Sequence, residues 1–195
     1  MTESAIYGKN VKKGIAPAIA LCNPKYPRNV GAAIRTASCF GIKQVWFTGN
    51  RVSLDPNGKD RLPREERMRG YNEVELRQCD YFFDCFEDVV PVAVELIDGA
   101  ELLPYFEHPE NALYVFGPED GSLNQVTRRL CHRRVVIPTR HCVNLAVAIS
   151  LILYDRQYKR QLAGLEEILP MKDLLASEKR QLFPKDKLFE EEDMG

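Results

Sequence analysis

Apolar residues along this chain fall alternately into short unbroken runs and into stretches with a helical period, and that alternation predicts most of its regular structure. Pro17 is followed by Ala18 to Cys22, an apolar run of the kind that forms a strand buried on both faces. Asn23 to Asn29 carries two prolines and reads as a loop. From Val30 the positions Val30, Ala33, Ile34 and Ala37 follow a helical repeat, with Asn29 expected as the N-cap and Gly41 as the stop. Gln44 to Thr48 predicts a second strand, and the polar stretch Gly49 to Tyr71 a long loop. Val89 to Glu95 predicts a third strand, Ala100 to Phe106 a short helix, and Ala112 to Phe116 a fourth strand ending at Gly117-Pro118. Ser122 and Gln125 have capping-box spacing for a helix reaching about Cys131. Arg134 to Ile137 predicts a fifth strand, closed by Pro138. Val143 to about Arg160 is apolar nearly all round until Tyr154, which predicts burial in a core or a subunit interface. Cys79 to Phe86 fits helix or strand. The alternation of strands and helices predicts an α/β domain with a mainly parallel sheet and flanking helices. It is expected over residues 1–160, with a core at about 15–160 and an acidic extension at 161–195.

Composition narrows the class. Hydrophobic residues make up 45% and charged residues 28% of the 195 positions, ordinary for a soluble globular chain. No apolar run reaches the length of a membrane span and no signal core opens the chain, so a cytoplasmic protein is expected. The 6 cysteines contain no C-x-x-C pair, and free thiols in a reducing compartment are expected. Cys131-His132 and His141-Cys142 are adjacent pairs, which on a strand point to opposite faces, so no metal site is expected.

Net charge is −1, which by itself does not suggest a nucleic-acid partner. Its distribution does. From Ser4 to Leu54 there is no acidic residue, while eight lysines and arginines occur, among them Arg28, Arg35 and Arg51. The segment from Gln161 carries a net −4, ending in Glu190-Glu191-Glu192-Asp193. A basic, acid-free stretch suits a polyanionic partner, or is a solvated surface with uneven charge.

Ligands in parallel α/β sheets sit at the carboxyl ends of strands. Three segments stand there. The first is Asn29-x-Gly31-x-x-x-Arg35, the second Phe116-Gly117-Pro118-Glu119-Asp120-Gly121, and the third Ile137-Pro138 with Cys142-Val143-Asn144-Leu145 opening the last helix. The dinucleotide, phosphate-loop and nucleophile-elbow glycine patterns are all missing, which lowers oxidoreductase, triphosphatase and hydrolase readings. In order and strand context the three segments resemble the signature motifs of the SpoU/TrmH branch of the SPOUT RNA methyltransferases. The resemblance covers roughly residues 15–160. Cys142 stands where the family has a serine, and Ser122 where it has a glycine.

The resemblance implies a C-terminal trefoil knot, a homodimer with active sites near the interface, and S-adenosylmethionine as cofactor. It implies methylation of a ribose 2′-hydroxyl in RNA. Transfer RNA is favoured over ribosomal RNA, since no separate RNA-binding domain precedes the motifs. Base methylation, or RNA binding without turnover, are the alternatives. Arg35, Asn29, Glu119 and Asn144 become the expected catalytic group, with Gly31 allowing close approach of a backbone or ribose. Arg35 either activates the hydroxyl or, because a guanidinium stays protonated, holds a phosphate and stabilises developing charge. Glu119 either reaches the site or braces its own loop. Glu95, Leu96, Gly117, Ile137, Cys142 and Leu145 are the expected cofactor contacts; His141 and Arg140 either touch RNA or cofactor or, the favoured reading, are surface positions. Arg28, Arg51, Arg61, Arg64 and Arg67 are expected to meet RNA phosphates.

Overall fold

The computed structural model describes residues 14–53 and 73–173. Its sheet is built from β1 (Ala18–Leu21), β2 (Gln44–Phe47), β3 (Glu75–Gln78), β4 (Val90–Val94), β5 (Glu101–Leu102), β6 (Ala112–Phe116) and β7 (Arg133–Val136). The helices are α1 (Pro27–Cys39), α2 (Gln125–Leu130) and α3 (Leu145–Leu162). Strand order is β3-β2-β1-β6-β4-β7-β5, and every pairing is parallel.

Side chains alternate across the sheet and meet different partners on its two faces. Leu21, Phe47, Val92, Tyr114 and Val135 pack with α1 through Val30, Ile34 and Ala37, and with α3 through Ile149, Ile152 and Leu153. Ala20, Trp46, Ala93 and Val115 point the other way, against Phe82, Phe86, Leu123 and Cys131. The central strands β1 and β6 are buried at every position, as their unbroken apolar runs require.

Four local expectations are corrected. Helix α1 starts three residues before Val30, with Pro27 in its first turn and Tyr26 as the cap. Asn29 is therefore inside the helix, and its side chain is spent on tertiary contacts. The segment Ala100 to Phe106 is not a helix: Glu101–Leu102 pairs with β7, and Leu103–Tyr105 is a single 3-10 turn. Pro104 lacks the N–H that a longer α-helix would use. The cap of α2 is Asn124, which accepts from the Thr127 N–H at 2.8 Å, rather than Ser122. Strand β3 has no counterpart among the expected elements, because it is a sheet edge whose residues are half-buried or exposed and carry little apolar pattern. The stretch from Cys79 to Phe86 contains one 3-10 turn, Phe82–Asp84. Gly41 does follow the end of α1, in the left-handed conformation (φ +69°) that terminates helices cheaply only at glycine.

Buried polar groups pin α3 to the chain preceding β6. His108 lies between Tyr114 Oη (2.7 Å) and Asp155 Oδ2 (2.8 Å). The buried Arg156 donates to the Pro109 and Glu110 carbonyls at 2.9 and 3.0 Å. No helix among the described residues is long and apolar enough to cross a membrane.

The chain divides into two compact units, residues 1–157 and 158–195. Within the second, the Leu165 N–H closes on the Arg160 carbonyl at 2.9 Å, and Arg160 pairs with Glu166 at 3.2 Å.

Ile149 is fully buried between α3 and the sheet. Ile149→Ala is expected to remove about 3 kcal/mol of stability through forfeited transfer energy and a residual cavity. Urea unfolding at fixed protein concentration checks this; a decrease below about 1 kcal/mol would mean that α3 is not seated on the sheet.

Candidate active site

Strands β6, β4 and β7 are neighbours and run in parallel, so the chain leaves all three at the same edge of the sheet. The loops that follow, with the first turn of α3, enclose a cavity of about 470 Å³. Glu95, Leu96, Gly117, Ile137, Cys142 and Leu145 all line it, brought together from three separate segments. Arg140 and His141, for which the sequence favours a surface position over contact with a ligand, are exposed and also line it. The short Thr139-to-Cys142 loop explains this: Thr139 Oγ1 donates to the His141 carbonyl at 2.8 Å, folding the loop across the cavity.

Gly117 lies where a side chain would be crowded. A Cβ there would come within 3.2 Å of the Leu123 nitrogen and 3.3 Å of Glu95 Oε2. Those two atoms are themselves bonded, the Leu123 N–H donating to Glu95 Oε2 at 2.9 Å. Glu95 thus holds the loop after β6 against the end of β4, a bracing contact that sequence spacing does not reveal. Leu96, by contrast, is 76% exposed on the cavity rim.

Three of the four expected catalytic residues, Asn29, Glu119 and Asn144, form one chain of hydrogen bonds. Asn29 Nδ2 donates to Glu119 Oε1 at 2.7 Å, and Asn144 Nδ2 donates to Asn29 Oδ1 at 3.2 Å. Glu119 also accepts the Lys25 N–H at 2.7 Å and the Tyr26 N–H at 3.4 Å. Its two oxygens satisfy the backbone donors of the cap residue Tyr26 and of Lys25 before it, so it braces the entry to α1 as well as lining the cavity. Asn144 Oδ1 accepts the Ala146 N–H at 2.8 Å and caps α3. One network therefore fixes α1, the loop after β6 and α3 to each other.

The adjacent Asp120 makes a second tie. Arg51 Nη1 donates to both of its oxygens at 3.0 Å, and Lys25 Nζ lies at 3.1 Å. Hydrogen bonding from Arg51, then from Lys25, holds the Asp120 carboxyl below its usual range, and Asp120 in turn raises Lys25. Arg51 donates as well to the Asn23 carbonyl. Its charge is locally compensated, which differs from the free phosphate contact expected for it.

Arg35 is exposed, lies outside the cavity lining, and its side chain makes no hydrogen bond or ion pair with a described residue. Gly31, one turn earlier, is buried. Arg28 shares the exposed face of α1 with Arg35, seven residues apart, and its guanidinium covers the Tyr26 ring at 5.2 Å. Arg61, Arg64 and Arg67 fall outside the described residues.

Burial pushes the thiols of Cys22, Cys79 and Cys131 up to about 12, so none is a ready nucleophile. Cys39 and Cys142 are exposed. Among the described residues no group of three or more His, Cys, Asp or Glu could hold a metal ion.

Known proteins resemble this chain in sequence and shape. The 23S rRNA (guanosine-2′-O-)-methyltransferase RlmB of Acinetobacter baylyi is 28% identical over 142 residues, 70% of this chain and 57% of that protein. This chain thus spans little more than half the length of that curated relative. The A. aeolicus TrmH/SpoU tRNA modifying enzyme superposes with a TM-score of 0.64 at 18% identity, covering 87% of this chain and 88% of its own. A structure solved for insights into the 2-OH methylation of C/U34 on tRNA gives a TM-score of 0.59 at 25% identity, covering 75% of this chain and 96% of its own. Residues 16–154 match the SpoU rRNA Methylase family, a span that takes in every strand, the cavity and the Asn29–Glu119–Asn144 network, and the chain belongs to that family.

Proposed function

We propose that this chain transfers a methyl group from S-adenosylmethionine to a ribose 2′-hydroxyl of RNA, and that the RNA is a transfer RNA. The observation that carries the reading is convergence. Three segments far apart in sequence line one cavity, and the network through Glu119 joins it to α1. The cavity's size suits a nucleoside joined to an amino acid. Gly117 keeps backbone open to the ligand, while Ile137 and Leu145 give it apolar walls.

When bound, S-adenosylmethionine supplies the electrophilic methyl. The protein's share is positioning and charge. Asn29 and Asn144 hold the start of α1 against the cavity. Arg35, charged and without an intramolecular partner among the described residues, holds an RNA phosphate and stabilises the oxygen as its proton leaves. Transfer RNA is supported by likeness to two structures described as acting on tRNA, one of them at 25% identity.

The active form we propose is a homodimer. Val147, Leu151 and Tyr154 are 47, 37 and 61% exposed and recur at one-turn intervals on α3, an apolar stripe suited to a second copy. We also propose the C-terminal knot. Val94 and Glu101 both align with Val135, so the chain from β4 to β5 crosses β7, the later strand that separates them. Six free cysteines support a cytoplasmic setting.

Incubation with bulk tRNA and methyl-labelled cofactor, followed by alkaline hydrolysis, is expected to leave label in alkali-resistant dinucleotides; label in a methylated base would overturn the ribose assignment. Arg35→Ala is expected to lower turnover by about 10²–10³-fold or more. S-adenosylhomocysteine affinity should stay within about twofold. Undiminished turnover in that variant would remove Arg35 from the mechanism. S-adenosylhomocysteine is expected to slow maleimide labelling of Cys142, in the cavity, and to leave Cys39 unaffected; equal rates with and without it would place the cofactor elsewhere. Leu151→Glu is expected to convert a dimer to a monomer in sedimentation, whereas a dimer that persists would put the interface on another face.

A further inference from the structure

A second concavity, an open groove of about 700 Å³, adjoins the cavity and shares Leu96 with it. Three arginines line it: Arg128 and Arg129 from the last turn of α2, and Arg134 from β7. Arg134 lies beside the turn after β4, where a Cβ on Gly99 would stand 3.9 Å from its Nη1. Asp98 is the groove's one carboxylate, so it holds an excess of positive charge.

None of the three arginine side chains makes a hydrogen bond or ion pair with a described residue. Arg128 is the sharpest case. Its Nε is shut off from solvent without an acceptor, the sole such side-chain atom among the described residues. Buried donors are nearly always paired in folded proteins, and one left over calls for a reason. Cations at a helix C-terminus favour the dipole, which gives Arg128 and Arg129 a bland explanation. Yet α2 has only 6 residues, and Arg134 is not on it. Nearby, Arg133 takes the opposite course and pairs with Glu101 at 2.7 Å. The sequence thus supplies a carboxylate to one arginine of this edge and withholds it from three that face a single groove.

We propose that Arg128, Arg129 and Arg134 bind backbone phosphates of the RNA substrate beside the target nucleotide. This rests on the RNA methyltransferase reading and adds to it a binding surface. Arginine forks match phosphate oxygens in pairs, and a phosphodiester supplies the acceptors that the protein does not. The shared Leu96 rim means that a strand with its ribose at the cavity has neighbouring phosphates within the groove's span. Phosphate contacts position an RNA without reading its sequence, so bulk tRNA is an adequate probe.

The test is binding of bulk tRNA to the full chain in the presence of S-adenosylhomocysteine, measured over a range of salt. Arg129→Gln with Arg134→Gln is expected to raise Kd about tenfold or more and to reduce the slope of log Kd against log salt by about 2, one for each phosphate no longer neutralised. The corresponding double lysine variant, which keeps the charge, should recover most of both. Lys43→Gln, which removes an exposed charge before β2 at the other end of the strands, should change neither. S-adenosylhomocysteine affinity should be unaltered in all variants, which also reports that the glutamine variant is folded. If wild-type protein binds tRNA and the glutamine variant binds it with the same Kd and slope, the groove is not an RNA site. Weakened S-adenosylhomocysteine affinity in a folded glutamine variant would reassign the arginines to the cofactor. Wild-type protein that shows no salt-dependent tRNA binding would overturn the RNA reading itself, and the groove proposal with it.

Discussion

The seating of β7 beside β4 is the constraint on which the rest of the site depends. Both strands are parallel to β6, so three loops leave the sheet side by side and enclose a common volume. The pairing Val94 with Val135 sets how far each strand projects, and the Glu95 N–H continues the ladder to the Val135 carbonyl. A side chain at this register has little freedom. Glu95 meets the Leu123 N–H, and a Cβ at Gly117 would crowd that contact. A slip of one residue in β7 would exchange Arg134 for Val135 on the helical face of the sheet, exposing an apolar residue and burying a charge.

Glu119 extends this rigidity from the cavity to α1. A carboxylate that accepts from Lys25 N, Tyr26 N and Asn29 Nδ2 stabilises a helix start that has no side-chain cap of its own. The Asn29 amide is the hinge of the network, donating on one side and accepting from Asn144 on the other, which fixes its orientation. Reactions that depend on alignment gain most from groups that need not reorganise. Asn29, Glu119 and Asn144 are therefore best understood as a frame that holds α1, the helix that carries Arg35 on its exposed face.

Much of this is legible in the residues because burial leaves a periodic trace. The strands Ala18–Leu21 and Ala112–Phe116 are covered on both faces, and their apolar runs say so. The six cavity residues are accessible through the family resemblance, which fixes loop positions after strands. Elements governed by other forces are not legible. Strand β3 is an edge held by backbone pairing to β2, and backbone pairing has no side-chain signature. The helix expected from Ala100 is absent because β5 is also an edge strand, two residues long, next to Pro104. Asn29 looks like a cap because it precedes an apolar repeat; the helix starts earlier because Pro27 already has helical φ. Its true partners are 90 and 115 residues away, and no local pattern encodes them.

Charge shows the same difference between order along the chain and order in space. The acid-free stretch through Leu54 looks like an unopposed basic surface, yet Arg51 and Lys25 both close on Asp120 from the loop after β6. Arg128, Arg129 and Arg134 lie in a second acid-free stretch, Gly121 to Tyr154, and there the fold leaves their side chains unpaired with any described residue around one groove. Paired charges on the surface add little field beyond their neighbours, because solvent and the partner both screen them. Unpaired guanidinium groups held together on one concave wall keep their attraction for an anion and have fewer partners to give up on binding it. The distribution that matters for a polyanionic partner is thus the one left after intramolecular pairing. Among the described residues that measure points to the exposed face of α1, at Arg28 and Arg35, and to the α2–β7 groove.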